Sequence, residues 1–186
     1  MAAALFALAL AAGCSGGDGD DAAPTTVSAV RATTPERTTS PTTRPDDATC
    51  GVRGSSPTTF DDASGTHAAY VKALDIGARR LTFDVVRWLV GQDAADAYHR
   101  ETPDDPEGPP NDYFITNDSP RLRSATVTTD VAVRLLTPAG GATLVRSSWD
   151  ELGESASRDG DFLTRSQFWL TMRDAQVVAI CQQYVP

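Results

Sequence analysis

Hydrophobic and polar positions divide the chain into three regimes. From Ala2 to Ala12 every residue is small or apolar, and Gly13-Cys14 ends the run. From Ser15 to Thr49 large apolar side chains almost vanish among Thr, Pro, Ala, Asp and Gly; Val27 and Val30 are the exceptions. From Cys50 to Pro186 apolar residues return, mostly at a period near two, which is the spacing of half-buried strands.

The third regime predicts a mostly β domain with two short helices. His67–Asp75, a turn at Ile76–Arg80 and Leu81–Leu89 form a candidate hairpin, in which Leu81, Phe83 and Val85 alternate with Thr82, Asp84 and Val86. Gln92–Glu101 reads as a short helix with Asp93 as N-cap. Thr102–Asn111 holds four prolines and must be a loop. Strands follow at Asp112–Asn117, Leu122–Val127 and Val131–Leu136, the last broken by Pro-Ala-Gly-Gly. Ser148 and Glu151 have the spacing of a capping box, so a helix is expected to about Ala156. Gln167–Met172, a turn at Arg173–Gln176 and Val177–Val185 make a closing hairpin. Six or seven strands with two short helices predict a small OB-like β-barrel, which removes sheet edges by closing. An open α+β sheet with helices on one face is the alternative.

The apolar start is too short to span a bilayer, which needs about 20 residues. Its length and small-residue end suit a cleaved secretion signal. Leu10-Ala11-Ala12-Gly13-Cys14 resembles the lipobox of a bacterial lipoprotein signal peptide. The resemblance implies a signal peptide over residues 1–13, a diacylglyceryl group on Cys14, and a protein anchored to the outer face of the cytoplasmic membrane. Two acyl chains hold stably where one is marginal. An ordinary cleaved signal without lipid is the alternative. No Lys or Arg precedes the run; a translation start a few residues upstream would supply one.

Residues 14–49 then form a linker. It cannot bury enough apolar area to offset its chain entropy, so disorder is expected. As a flexible coil it averages roughly 30–35 Å and fully extended about 110 Å. That reach lets a folded domain stand off the membrane. Its Thr-Pro clusters also suit O-linked sugars.

Residues 50–186 suffice for one domain and need no metal to fold. The whole chain has a net charge of −9, and the domain carries 19 acidic and 13 basic side chains. This excludes nucleic acid, which demands a basic footprint, and a charge-driven grip on anionic lipid. With Cys14 acylated, Cys50 and Cys181 remain in an oxidising setting, where pairing is expected. They stand near the two ends of the domain, and domain termini often lie close together.

The segments from Tyr70 to Gly91, Asn111 to Asn117, Arg121 to Arg123, Val131 to Leu136 and Phe168 to Pro186 resemble a group of uncharacterised secreted or lipid-anchored proteins of Gram-positive bacteria. The shared marks are the opening hairpin, an Asn-Asp-Tyr-Phe-Ile segment and a Tyr-Val-Pro end. The resemblance covers most of residues 67–186 and supports the barrel. It assigns no activity and no functional residue. Cys181 stands where the group is expected to have an acidic residue, which makes the disulfide peculiar to this chain.

Catalytic signals are weak. Asp104, Asp105, Glu107 and Asp112 could ligate Ca²⁺, but the EF-hand spacing is missing and a solvated loop is the better reading. His67 and His99, the only histidines, fit no zinc spacing. No G-x-S-x-G elbow or Gly-rich phosphate loop occurs. No catalytic residue, metal ligand or cofactor is therefore assigned. Trp88, Trp149 and Trp169 read as core, whereas Asn111, Asp112 and Tyr113, at the end of the proline loop, offer the most exposed aromatic and a candidate binding face. The leading expectation is a non-enzymatic envelope lipoprotein whose domain binds an envelope protein or glycan. The alternative is a hydrolase of wall polymer that uses carboxylates such as Asp84, Asp112 or Asp118 as acid and base. A structural spacer is the third.

Overall fold

In the computed structural model, which describes residues 50–51, 54–118, 120–137 and 139–186, the first hairpin is the expected one. The signal peptide, Cys14 and the linker expected over residues 1–49 lie outside the described residues. Strand β1 (Ser64–Asp75) turns into β2 (Arg80–Val85) and pairs with it antiparallel. The turn is closed by Asp75, whose carboxylate accepts from the Ala78 N–H at 2.8 Å. Arg79 leaves the turn with φ 48° and donates through Nε to the Val127 carbonyl at 3.2 Å, which staples the turn to a distant strand.

The apolar run continuing to Leu89 is not one strand. Val86 donates its N–H to the Ala68 carbonyl at 3.0 Å and is itself buried, so the chain swings out of the hairpin there. It re-forms as β3 (Arg87–Val90), followed by α1 (Gly91–Glu101) and β4 (Tyr113–Thr116). β3 and β4 make a small separate sheet, with α1 packed on it through Leu89, Ala94, Ala97 and Phe114. Val90, not Asp93, is the N-cap of α1. Asp93 instead accepts a 2.6 Å hydrogen bond from Ser55 Oγ and holds the N-terminal arm.

The two strands expected over residues 122–127 and 131–136 are one, β5 (Leu122–Leu136). The intervening Thr-Thr-Asp is not a turn but an irregularity in its pairing with the last strand. A short β6 (Leu144–Ser147) extends β5 as a hairpin arm. The capping box forms as expected: Ser148 Oγ accepts from the Glu151 N–H at 3.1 Å, and Glu151 accepts from the Ser148 N–H at 2.7 Å. It opens α2 (Trp149–Arg158), two residues longer than expected, and a single turn α3 (Phe162–Arg165) follows. β7 (Gln167–Arg173) and β8 (Gln176–Gln183) close the chain as a hairpin.

β1, β2, β5, β8 and β7 pair in that cyclic order, and β7 pairs back to β1. Only the β5–β8 contact is parallel. The result is a closed five-stranded mixed barrel with OB-type strand order and a helix, α2, between its third and fourth strands. Phe83, Phe168, Leu170, Val127 and Ile180 fill it, with Leu152 and Trp149 of α2 packed in from below. A second apolar cluster lies against its outer wall, where Trp88 and Val86 meet Trp169, Ala68 and Cys181.

The β7–β8 turn puts Asp174 (φ 51°) and Ala175 (φ 59°) in the left-handed region. Two-residue hairpin turns of this type favour Asn or Asp followed by Gly. The αL conformation costs a non-glycine residue about 1–2 kcal/mol, and glycine returns about half of that in chain entropy. Ala175→Gly is therefore expected to stabilise by roughly 0.5–1 kcal/mol, read as a higher urea midpoint.

Candidate functional site

The arm at residues 54–62 lies along the barrel and is fixed at both ends. Ser56 donates its N–H to the Trp88 carbonyl at 2.6 Å, and its Oγ accepts from the Trp88 N–H at 2.9 Å. Asp61 accepts from the Ala63 N–H and the Ser64 hydroxyl, and those bonds hold its carboxyl below the usual range. Between these points Phe60 enters the mouth of the barrel. It meets His67 edge-on at 4.7 Å and Phe83 at 6.2 Å, and the Arg123 guanidinium covers it at 4.8 Å.

Two cavities flank Phe60 and share it with Thr59 and Arg123. The smaller, about 160 Å³, lies among His67, Arg87, Thr116 and Asp118. His67 is buried and donates from Nε2 to the Ser64 carbonyl at 3.0 Å, so it serves the β1 start rather than the cavity. The larger, about 730 Å³, is a groove between the arm and the first residues of β5.

That groove exists because the barrel seam is open at one end. β5 meets β8 only from Thr126, opposite Gln176, onward. Before it, Leu122–Ala125 pair with β2 alone. Antiparallel ladders alternate hydrogen-bonded and non-hydrogen-bonded pairs. The Val127 N–H donates to the Arg79 carbonyl at 2.8 Å, so the pairs at Ala125 and Arg123 are hydrogen-bonded to β2. Leu122 and Ser124 then turn their N–H and C=O groups the other way, into the groove. No strand among the described residues covers them. Leu122, 64 % exposed, sits on this edge.

The carboxylates expected to act as acid and base are held in different ways. Asp84 is buried and accepts from Asn117 Nδ2 at 2.7 Å and from the Arg121 N–H at 3.0 Å, with Arg123 Nη1 at 3.8 Å. Its oxygens are spent on pinning the crossover between β4 and β5. Asp118 is half-exposed and pairs with Arg87 at 3.5 Å. Asp112 lies before β4 and Asp118 beyond it, with roughly 13 Å of strand between them.

Asn111 and Asp112 are exposed at the end of the proline loop, but Tyr113 is not the free aromatic expected. Its ring stacks on Trp88 at 4.2 Å and 11°, and burial pushes its phenol up, with Tyr70 adding to the shift. Among the described residues the exposed aromatic is Tyr184, beyond β8. All three tryptophans are buried, as the sequence indicated. In the acidic loop, Asp105 accepts from the Tyr98 hydroxyl and the Glu107 N–H, which lower its pKa. Among the described residues no three His, Cys, Asp or Glu side chains gather as a metal site.

Cys50 and Cys181 are bonded, with Cα atoms 5.4 Å apart. Gly51 follows at φ +79°, and a Cβ there would lie 2.8 Å from Trp169 Nε1, so glycine alone lets the arm pass the buried ring. The disulfide is consistent with an extracytoplasmic protein.

The groove residues Phe60, Leu122 and Ser124 carried no recognisable signal in the sequence. Leu122, an apolar residue between Arg121 and Arg123, was the only hint. Set against protein-family models, curated proteins and solved structures, the chain matches none.

Proposed function

We propose that this is a cell-envelope lipoprotein whose β-rich domain is a non-enzymatic binding module, held to the membrane through Cys14 and displayed on the linker at residues 14–49. The groove at the open barrel seam carries the reading. It combines apolar side chains with an open stretch of strand edge at Leu122 and Ser124, which no described strand pairs, and an open edge of this kind is a template for an added strand. The partner is an envelope protein or glycan that completes the seam. Both oxygens of Asp84 accept hydrogen bonds from the segment between β4 and β5, which suits a structural role for this carboxylate.

The test is in-cell photo-crosslinking on the full-length, anchored protein, with a photoreactive residue replacing Leu122 and, in parallel, Asp112. A reproducible protein or glycan adduct at position 122, absent at 112, is the expected result. Adducts at 112 alone would return the binding face to the proline loop. No adduct at either position, with the protein present in the envelope, would count against a binding module.

A further inference from the structure

Resting on the binding reading above, we propose that the groove takes an extended polypeptide segment of another envelope protein, which adds to the β5 edge as an extra strand. The recognising feature is the pair of outward backbone groups. Leu122 and Ser124 each present one N–H and one C=O, two residues apart on a straight strand, so the donor–acceptor pattern repeats about every 6.8 Å. An extended peptide reproduces that repeat on its own edge. Strand addition of this kind gains affinity from the main chain and selectivity from alternate side chains.

The lining sets the chemistry of those side chains. Those directed inward meet Phe60, Phe83, Ala125 and Met172, which are apolar. Those directed outward lie beside Leu122 and Ser124. Charge within the groove nearly cancels: Arg123 is offset by Asp84, and Arg121 and Asp62 both line the groove. The central residues of the partner are therefore uncharged, alternating apolar with small polar.

The flanks are set by the chain as a whole, whose net charge is −9. It repels a second copy of itself and attracts basic residues on either side of the docked segment. The occupant is thus a different protein, not a second protomer.

The test is a titration of the ¹⁵N-labelled full-length chain with acetyl-Lys-Val-Thr-Val-Thr-Val-Lys-amide, followed by amide resonances. Expected are shifts centred on Leu122 and Ser124, and a loss of affinity of about tenfold or more for the same peptide with every amide N-methylated. Ser124→Pro removes the outward N–H while leaving the β2 pairs at Arg123 and Ala125, and should weaken binding equally. The N-methylated peptide tests the same point without altering the protein. Unmoved Leu122 and Ser124 amides at millimolar peptide, or equal binding of the N-methylated form, would overturn the proposal. So would concentration-dependent shifts of these amides in the protein alone, which would make a second copy the occupant. A glycan adduct in the crosslinking experiment would leave the binding module standing and remove the peptide.

Discussion

Replacing both disulfide cysteines, Cys50→Ser with Cys181→Ser, is expected to destabilise the domain by on the order of 4–5 kcal/mol. The bond spans 131 residues, so it removes a large share of the unfolded chain's freedom. For a domain whose total stability is about 5–15 kcal/mol, the loss is a large fraction. A second effect adds to it. Cys181 is buried beside Trp169 in the outer cluster, so a serine hydroxyl there enters an apolar site. Urea unfolding of the variant against the oxidised wild type measures the sum, and reduction of the wild type without mutation isolates the part due to the cross-link. A variant within 1 kcal/mol of wild type would show that the unfolded chain is held compact by something other than this bond.

The second largest effect belongs to Asp84. Asp84→Ala is expected to destabilise by about 3 kcal/mol, because it removes the buried acceptor on which three donors converge. These are Asn117 Nδ2, the Arg121 N–H and Arg123. Asp84→Asn keeps one acceptor oxygen and should lose less. Asp118→Ala, at a half-exposed ion pair, should change stability by under about 0.5 kcal/mol. Urea midpoints of the three variants form the comparison. Equal losses at Asp84 and Asp118 would mean that the crossover at residues 117–123 is not anchored by Asp84. Because the β5 edge begins where this crossover ends, Asp84→Asn should also broaden the amide signals of Leu122 and Ser124.

The elements with local causes were legible in the sequence. The β1–β2 and β7–β8 hairpins follow from alternation and turns, and α2 starts at its capping box. The closed barrel was also foreseen, from strand count and the need to remove edges. What was missed depends on distant partners. β5 runs through Thr-Thr-Asp because Arg79, 48 residues earlier, bonds the Val127 carbonyl there. β6 is a strand only because the far half of β5 needs a partner. Tyr113 lost its expected exposure to a ring on β3, and Asp93 was drawn from the helix cap by Ser55. The groove is the furthest from sequence: it arises from β8 beginning opposite Thr126 instead of opposite Leu122, a matter of register alone.

The disulfide also fixes how the domain carries load. Tension drawn through residues before Cys50 does not peel the arm from β1, because the bond passes it directly to Cys181 in β8. From there it runs into β5, which pairs with β8 in parallel between Thr126↔Gln176 and Arg134↔Cys181. If a partner grips the β5 edge, the pull and the grip lie on adjacent parallel strands, which must slide past each other with many hydrogen bonds strained together. The barrel is thus arranged as a shear joint, and the chain between Cys50 and Cys181 cannot be drawn out as slack while the bond is oxidised.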